Sequence, residues 1–129
     1  MKLYFKLIII LLFIVSCTEK DEIIHEKKKY YESGQLKEIK YYKNDNSSFF
    51  RRITYYESGQ IKREGNFSNG IPDGRSSQFY DNGQLKIETN YKNGKNIDPV
   101  WTSYYRNGQI KIQGNMKDGV EDGEWVYYN

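Results

Sequence analysis

The chain has 129 residues, enough for one modest domain, with 20 basic residues against 17 acidic ones. Lys2 and Lys6 fall within the first 16 residues, which hold no acid, so the remainder carries 18 bases against 17 acids, a net +1 that makes no strong electrostatic case for nucleic acid. A single cysteine excludes an intrachain disulfide, and the absence of alanine, with Leu36 and Leu85 the only leucines after residue 16, argues against a helical core.

In chain order, the first element is a targeting segment. Two lysines precede an unbroken apolar run over residues 7–15, which is nine residues long. A membrane-spanning helix needs roughly 20 such residues, whereas nine suits the apolar core of a signal peptide. Ser16 is the small residue that closes it, and Cys17 follows at once. Residues 1–16 therefore read as a signal peptide, and residues 17–27 as a polar tether. His25, the only histidine, is expected to be solvated in that tether, and Lys27, Lys28 and Lys29 to solvate its end.

The dominant signal is internal repetition. Tyr30-Tyr31-Glu32-Ser33-Gly34-Gln35-Leu36-Lys37 recurs from Tyr55, from Phe79 and from Tyr104, and Gly34, Gly59, Gly83 and Gly108 are spaced by 25, 24 and 25 residues. In each word two aromatics lead into Ser-Gly or Asn-Gly, and Gln-(Leu/Ile)-Lys leads out. That is a hairpin with either a two-residue loop or a three-residue loop ending in a glycine bulge.

The outgoing segments alternate with period two. Leu85, Ile87, Thr89 and Tyr91 are expected on one face; in the fourth copy Ile110, Ile112, Gly114 and Met116 take the same places, and in the second Ile61, Arg63, Gly65 and Phe67. Dense turn formers link the hairpins at residues 68–74, 92–99 and 117–123, and Trp101 and Trp125 open the strands that follow. The whole reads as about eight strands in a meander. The aromatics at 30/31, 55/56, 79/80 and 104/105 are expected to form ladders across the sheet. Stacked hairpins are expected to bury a continuous apolar strip.

These words resemble the MORN repeat in its bacterial variant, over roughly residues 28–129. The repeats run about 28–53, 54–78, 79–103 and 104–129. The resemblance implies an all-β fold: tandem β-hairpins forming an elongated, curved, single-layer antiparallel sheet. Two copies depart from the pattern. The first has Asn44-Asp45-Asn46-Ser47-Ser48 in place of a glycine turn, and the third has Pro99 where a glycine is usual.

Ile14-Val15-Ser16-Cys17 resembles the bacterial lipobox, which implies cleavage before Cys17 and acylation of its thiol. Two or more fatty chains hold a protein stably at a membrane. Thr18-Glu19-Lys20-Asp21-Glu22 lacks aspartate directly after the cysteine and resembles the export signal of surface lipoproteins, so the expected location is the cell envelope, at the outer membrane. No catalytic residue is expected. Asp73, Asp98 and Asp122 recur with the repeat and read as turn residues rather than paired carboxylates. No metal site, cofactor or small-molecule substrate is expected either. The function expected is a non-catalytic scaffold whose sheet binds a protein or glycan. The alternative, carried by the resemblance to YwqK-type repeats, is an antitoxin or immunity protein. The strand near residues 125–128 either ends the sheet or pairs with another chain, since open edges invite pairing.

Overall fold

The computed structural model describes residues 25–43 and 48–129. The signal segment, Cys17 and most of the first link (residues 44–47) lie outside the described residues. Ten strands form: β1 (His25–Tyr30), β2 (Leu36–Tyr42), β3 (Phe49–Tyr55), β4 (Ile61–Ser68), β5 (Ile71–Phe79), β6 (Leu85–Lys92), β7 (Lys95–Asn96), β8 (Val100–Tyr104), β9 (Ile110–Lys117) and β10 (Val120–Tyr127). All pair antiparallel in one sheet that follows chain order from β1 to β10, with the short β7 set beside β6 off that path. The sheet stays open and does not curl to closure. The excess over eight strands is β7 and the closing β10. Moreover, β1 begins at His25, inside the stretch read as tether, because Lys27, Lys28 and Lys29 pair with Lys40, Ile39 and Glu38 of β2.

Two kinds of turn alternate. In each word the second aromatic starts a tight loop: Tyr31 N–H donates to the Gln35 carbonyl at 2.8 Å, and Gly34 N–H donates back to the Tyr31 carbonyl at 3.0 Å. The same pair of bonds recurs at Tyr56, Tyr80 and Tyr105. Only the glycine has positive φ (84° at Gly34), so the loop is the three-residue form with a glycine bulge. The linking turns are the tighter kind. Asn69-Gly70, Asn93-Gly94 and Asp118-Gly119 have positive φ at both residues, as a two-residue mirror-image turn requires. The tight Asn-Gly chemistry read into the words thus belongs to the links.

A second irregularity lies in the strand after each glycine loop. Lys29 opposes Glu38 while Tyr30 opposes Leu36, so Lys37 is an extra residue on β2. Lys62, Lys86 and Lys111 are the matching extra residues on β4, β6 and β9. An extra residue shifts the alternation by one and turns what precedes it to the other face. Leu85 therefore lies on the opposite face from Ile87, Thr89 and Tyr91. Ile61 and Ile110 are likewise separated from the residues grouped with them above, because the period-two reading was carried straight through a bulge.

A single layer has neighbours only in its own plane, and burial is accordingly sparse. The buried apolar residues are Ile39, Tyr42 and Ile53, all on β2 and β3. Further along, the buried positions are short: Gly65, Ser77, Thr89, Ser103 and Gly114. Among the described residues the expected continuous apolar strip is therefore absent. Ring contacts likewise fall elsewhere than expected. Among the described residues they run from His25 stacked on Tyr42 (4.5 Å), through Tyr42–Phe49 and Phe49–Phe67, to a separate Trp101–Trp125 pair. None joins the word aromatics to one another.

The third link is the least regular. Ile87↔Ser103 is the only pair shared by β6 and β8. Pro99 has no N–H to give to a ladder. Asp98 fills the gap instead, its carboxylate accepting from Asn90 N–H at 2.7 Å and from the Asn90 side-chain amide at 2.9 Å.

Candidate functional site

The word tyrosines form a ladder through their hydroxyls rather than their rings. Tyr31 Oη donates to the Tyr55 carbonyl, Tyr56 Oη to the Phe79 carbonyl and Tyr80 Oη to the Tyr104 carbonyl, each at 2.8 Å. Tyr105 Oη closes the series on the Tyr128 carbonyl at 2.6 Å. The second aromatic of each word thus holds the first aromatic of the next, and Tyr128 occupies the place of a fifth. A neutral bond of this kind contributes roughly 1 kcal/mol net.

The bulged lysines complete the unit. Because each is an extra residue, it turns to the same face as the tyrosine six residues before it. Lys37, Lys62, Lys86 and Lys111 sit over Tyr31, Tyr56, Tyr80 and Tyr105, with Nζ 5.2, 5.4, 5.5 and 5.6 Å from the ring centroids. An exposed cation over a ring contributes about 0.5–1 kcal/mol. Arg106 reaches Tyr80 as well, and its guanidinium is paired with Asp81 in the preceding word. Ser33 donates to Glu57 at 2.6 Å, and Asn82 to the Arg106 carbonyl at 2.9 Å, joining adjacent turns along the sheet margin. Successive Tyr–Lys units are two strands apart, so they repeat about every 10 Å.

This face, called the front, carries a shallow concavity of about 760 Å³ over β1 to β6. Lys29, Lys37, Arg52, Lys62, Arg63 and Lys86 line it, with Glu38 the one acid that its register turns to the front. Glu38 is buried, and both Arg52 (2.6 Å) and Lys29 (3.5 Å) hold it. Lys37, Lys62, Arg63 and Lys86 have no carboxylate partner among the described residues. The opposite face is balanced instead, with Arg51–Glu64 at 3.1 Å and Arg75–Glu88 at 2.6 Å. A near-neutral chain therefore presents one basic, tyrosine-lined face.

The residues singled out from the sequence are placed as follows. Cys17, the predicted lipidation site, lies outside the described residues. His25 is the first residue of β1 and stacks on Tyr42 rather than standing free in solvent, because β1 starts earlier than its polarity suggested. Asp73 pairs with Lys92 at 3.2 Å, Asp98 holds Asn90, and Asp122 is exposed on β10. Among the described residues no cluster of three metal-ligating side chains occurs, and no helix is long and apolar enough to cross a membrane. The lysines of the words were not recognised as site residues. Their signal was present, as a lysine six residues after the second aromatic in every copy.

Trp101 and Trp125 meet over Gly114, which pairs with both. Burial leaves the Trp125 indole N–H without a partner. Burial also pushes the Tyr55 phenol above its ordinary value, with Tyr41 adding to the effect.

A family model described as MORN repeat variant matches the chain four times, over residues 26–44, 51–69, 72–93 and 100–118. No curated protein and no solved structure matches the chain.

Proposed function

We propose that this chain, which belongs to the MORN repeat variant family, is a non-catalytic binding scaffold held at the bacterial cell envelope by an acylated Cys17. The observation that carries the binding reading is the front face itself. Four Tyr–Lys units in one register, and four basic side chains without a carboxylate partner, suit an extended anionic protein or glycan more than a compact substrate. The lipobox-like run before Cys17 supports the anchor. The location that follows is the outer membrane, with the sheet on a tether.

Two measurements test this. Mass spectrometry of the N-terminal peptide from native membranes is expected to find an acylated Cys17, and Cys17→Ala to move the protein to the soluble fraction. Capture from separated envelope protein and glycan fractions is expected to weaken at least tenfold in Lys37→Glu/Lys62→Glu/Lys86→Glu. Capture that is unchanged in that variant rejects the front face as the binding surface. The alternative is a toxin-neutralising role, which rests on the resemblance to YwqK-type repeats. Protection of cells expressing a toxin from a neighbouring gene, by a chain lacking residues 1–17, would favour it over the envelope reading.

A further inference from the structure

The two outer strands of the open sheet carry opposite charge. β1 reads His-Glu-Lys-Lys-Lys-Tyr, a net +2 with His25 neutral, and is exposed at every residue after His25. β10 holds Glu121, Asp122 and Glu124, with no base, and is exposed everywhere except Trp125. Among the described residues no strand pairs with the outer side of either, and none of the three β10 acids has an ion-pair partner. Inside the sheet the same chemistry is satisfied between neighbouring strands: Arg52 of β3 holds Glu38 of β2, and Arg75 of β5 holds Glu88 of β6.

We propose that copies of this chain associate head to tail, the basic outer edge of β1 in one copy lying along the acidic outer edge of β10 in the next. Charge on an edge strand normally guards it against pairing. Here the guard works only between like edges. Two β1 strands would place lysines against lysines, and two β10 strands would place carboxylates against carboxylates. Neither penalty applies to β1 against β10. The contact would also cover exposed apolar surface, since Tyr30 is 57% exposed and Tyr127 70%. It joins different surfaces on the two copies, so it leaves a free edge at each end of a pair and adds further copies into a row or a ring. The register break of β10 between Glu121 and Trp125 limits the regular ladder, so the charges carry more of the contact than backbone bonds do. This inference is independent of what the front face binds.

The test uses the full chain purified in detergent, with the protein mass followed by light scattering against concentration and salt. The mass is expected to rise with concentration at ionic strength well below about 0.1 M and to return to one chain well above it. Lys27→Glu/Lys28→Glu and Glu121→Lys/Glu124→Lys are each expected to weaken the association at least tenfold. An equimolar mixture of the two is expected to restore it, because the acidic β10 of the first meets the basic β1 of the second. That recovery also guards against variants that merely misfold. A single-chain mass at every salt and concentration overturns the proposal. So does association that survives both reversals, or a mixture that does not recover.

Discussion

Gly114→Ala should detach the last strand while leaving the rest of the sheet in place. A methyl group built at Gly114 would lie 2.2 Å from Cδ2 of Trp125, with Cε2 at 2.5 Å and Cε3 at 2.7 Å. Those are ring atoms of a rigid side chain, so the indole has to leave. Its departure removes the Trp101–Trp125 contact, now at 5.5 Å between centroids, which is worth about 0.5–1.5 kcal/mol beyond area burial. It also returns on the order of 100 Å² of ring surface to water, about 2.5 kcal/mol at 25 cal/mol per Å². The loss of roughly 3–4 kcal/mol falls almost entirely on the β9–β10 pair, because each hairpin touches only its neighbours. Hydrogen exchange read residue by residue, with near-ultraviolet circular dichroism for the tryptophan pair, checks this. Amides of β10 should exchange at least a hundredfold faster, and the tryptophan signal should collapse. Gly65→Ala is the control, since its nearest contact is Ser76 Oγ at 3.3 Å. A Gly114→Ala protein with unchanged β10 exchange would refute the reasoning, as would one whose β1 to β4 amides lost protection equally.

Other expectations follow from the same geometry. Tyr56→Phe leaves the Phe79 carbonyl without its hydroxyl partner at an internal boundary and should cost about 1 kcal/mol in chemical denaturation. Tyr105→Phe, whose partner is the terminal Tyr128, should cost less than half of that, and equal costs would count against the hydroxyl ladder as the joint between repeats. Asp98→Ala should raise exchange at Asn90 and Ile97 and lower stability by about 1.5–3 kcal/mol, because it removes two bonds to a carboxylate. The Tyr55 phenol is raised from its ordinary 10.0, mainly by burial, so the folded chain keeps a proton that the unfolded chain gives up. That contribution is complete below pH 10 and is lost as pH rises through the folded value, so Tyr55→Phe should flatten the alkaline fall in melting temperature. An unaltered alkaline profile would point to the other tyrosines.

The fold class was legible because the repeat states it four times, and each statement contains a glycine that the backbone requires. What was not legible depends on a single residue. The eight-residue word places a lysine three residues after its glycine, where simple alternation assigns Lys37, Lys62, Lys86 and Lys111 to the face opposite the tyrosines. A separate bulge, three residues past each glycine, makes these lysines extra residues and turns them to the tyrosine face. Leu85 and Ile87 looked like one face for the same reason, and a near-neutral chain looked as if it had no charged surface. The bulge decides which face the side chains on either side of it take, and period-two reading carries no sign of it. The hydroxyl bonds at Tyr31, Tyr56, Tyr80 and Tyr105 were not legible either, since each joins residues 23 or 24 positions apart that no local pattern brings together. Deleting a bulge residue would therefore do more than remove one charge from a strand. In the second word, loss of Lys62 should leave Tyr55 opposite Ile61 and Thr54 opposite Arg63 while removing the cation over Tyr56. It should cut anionic binding at that unit while the flanking units, with their own bulges intact, keep theirs.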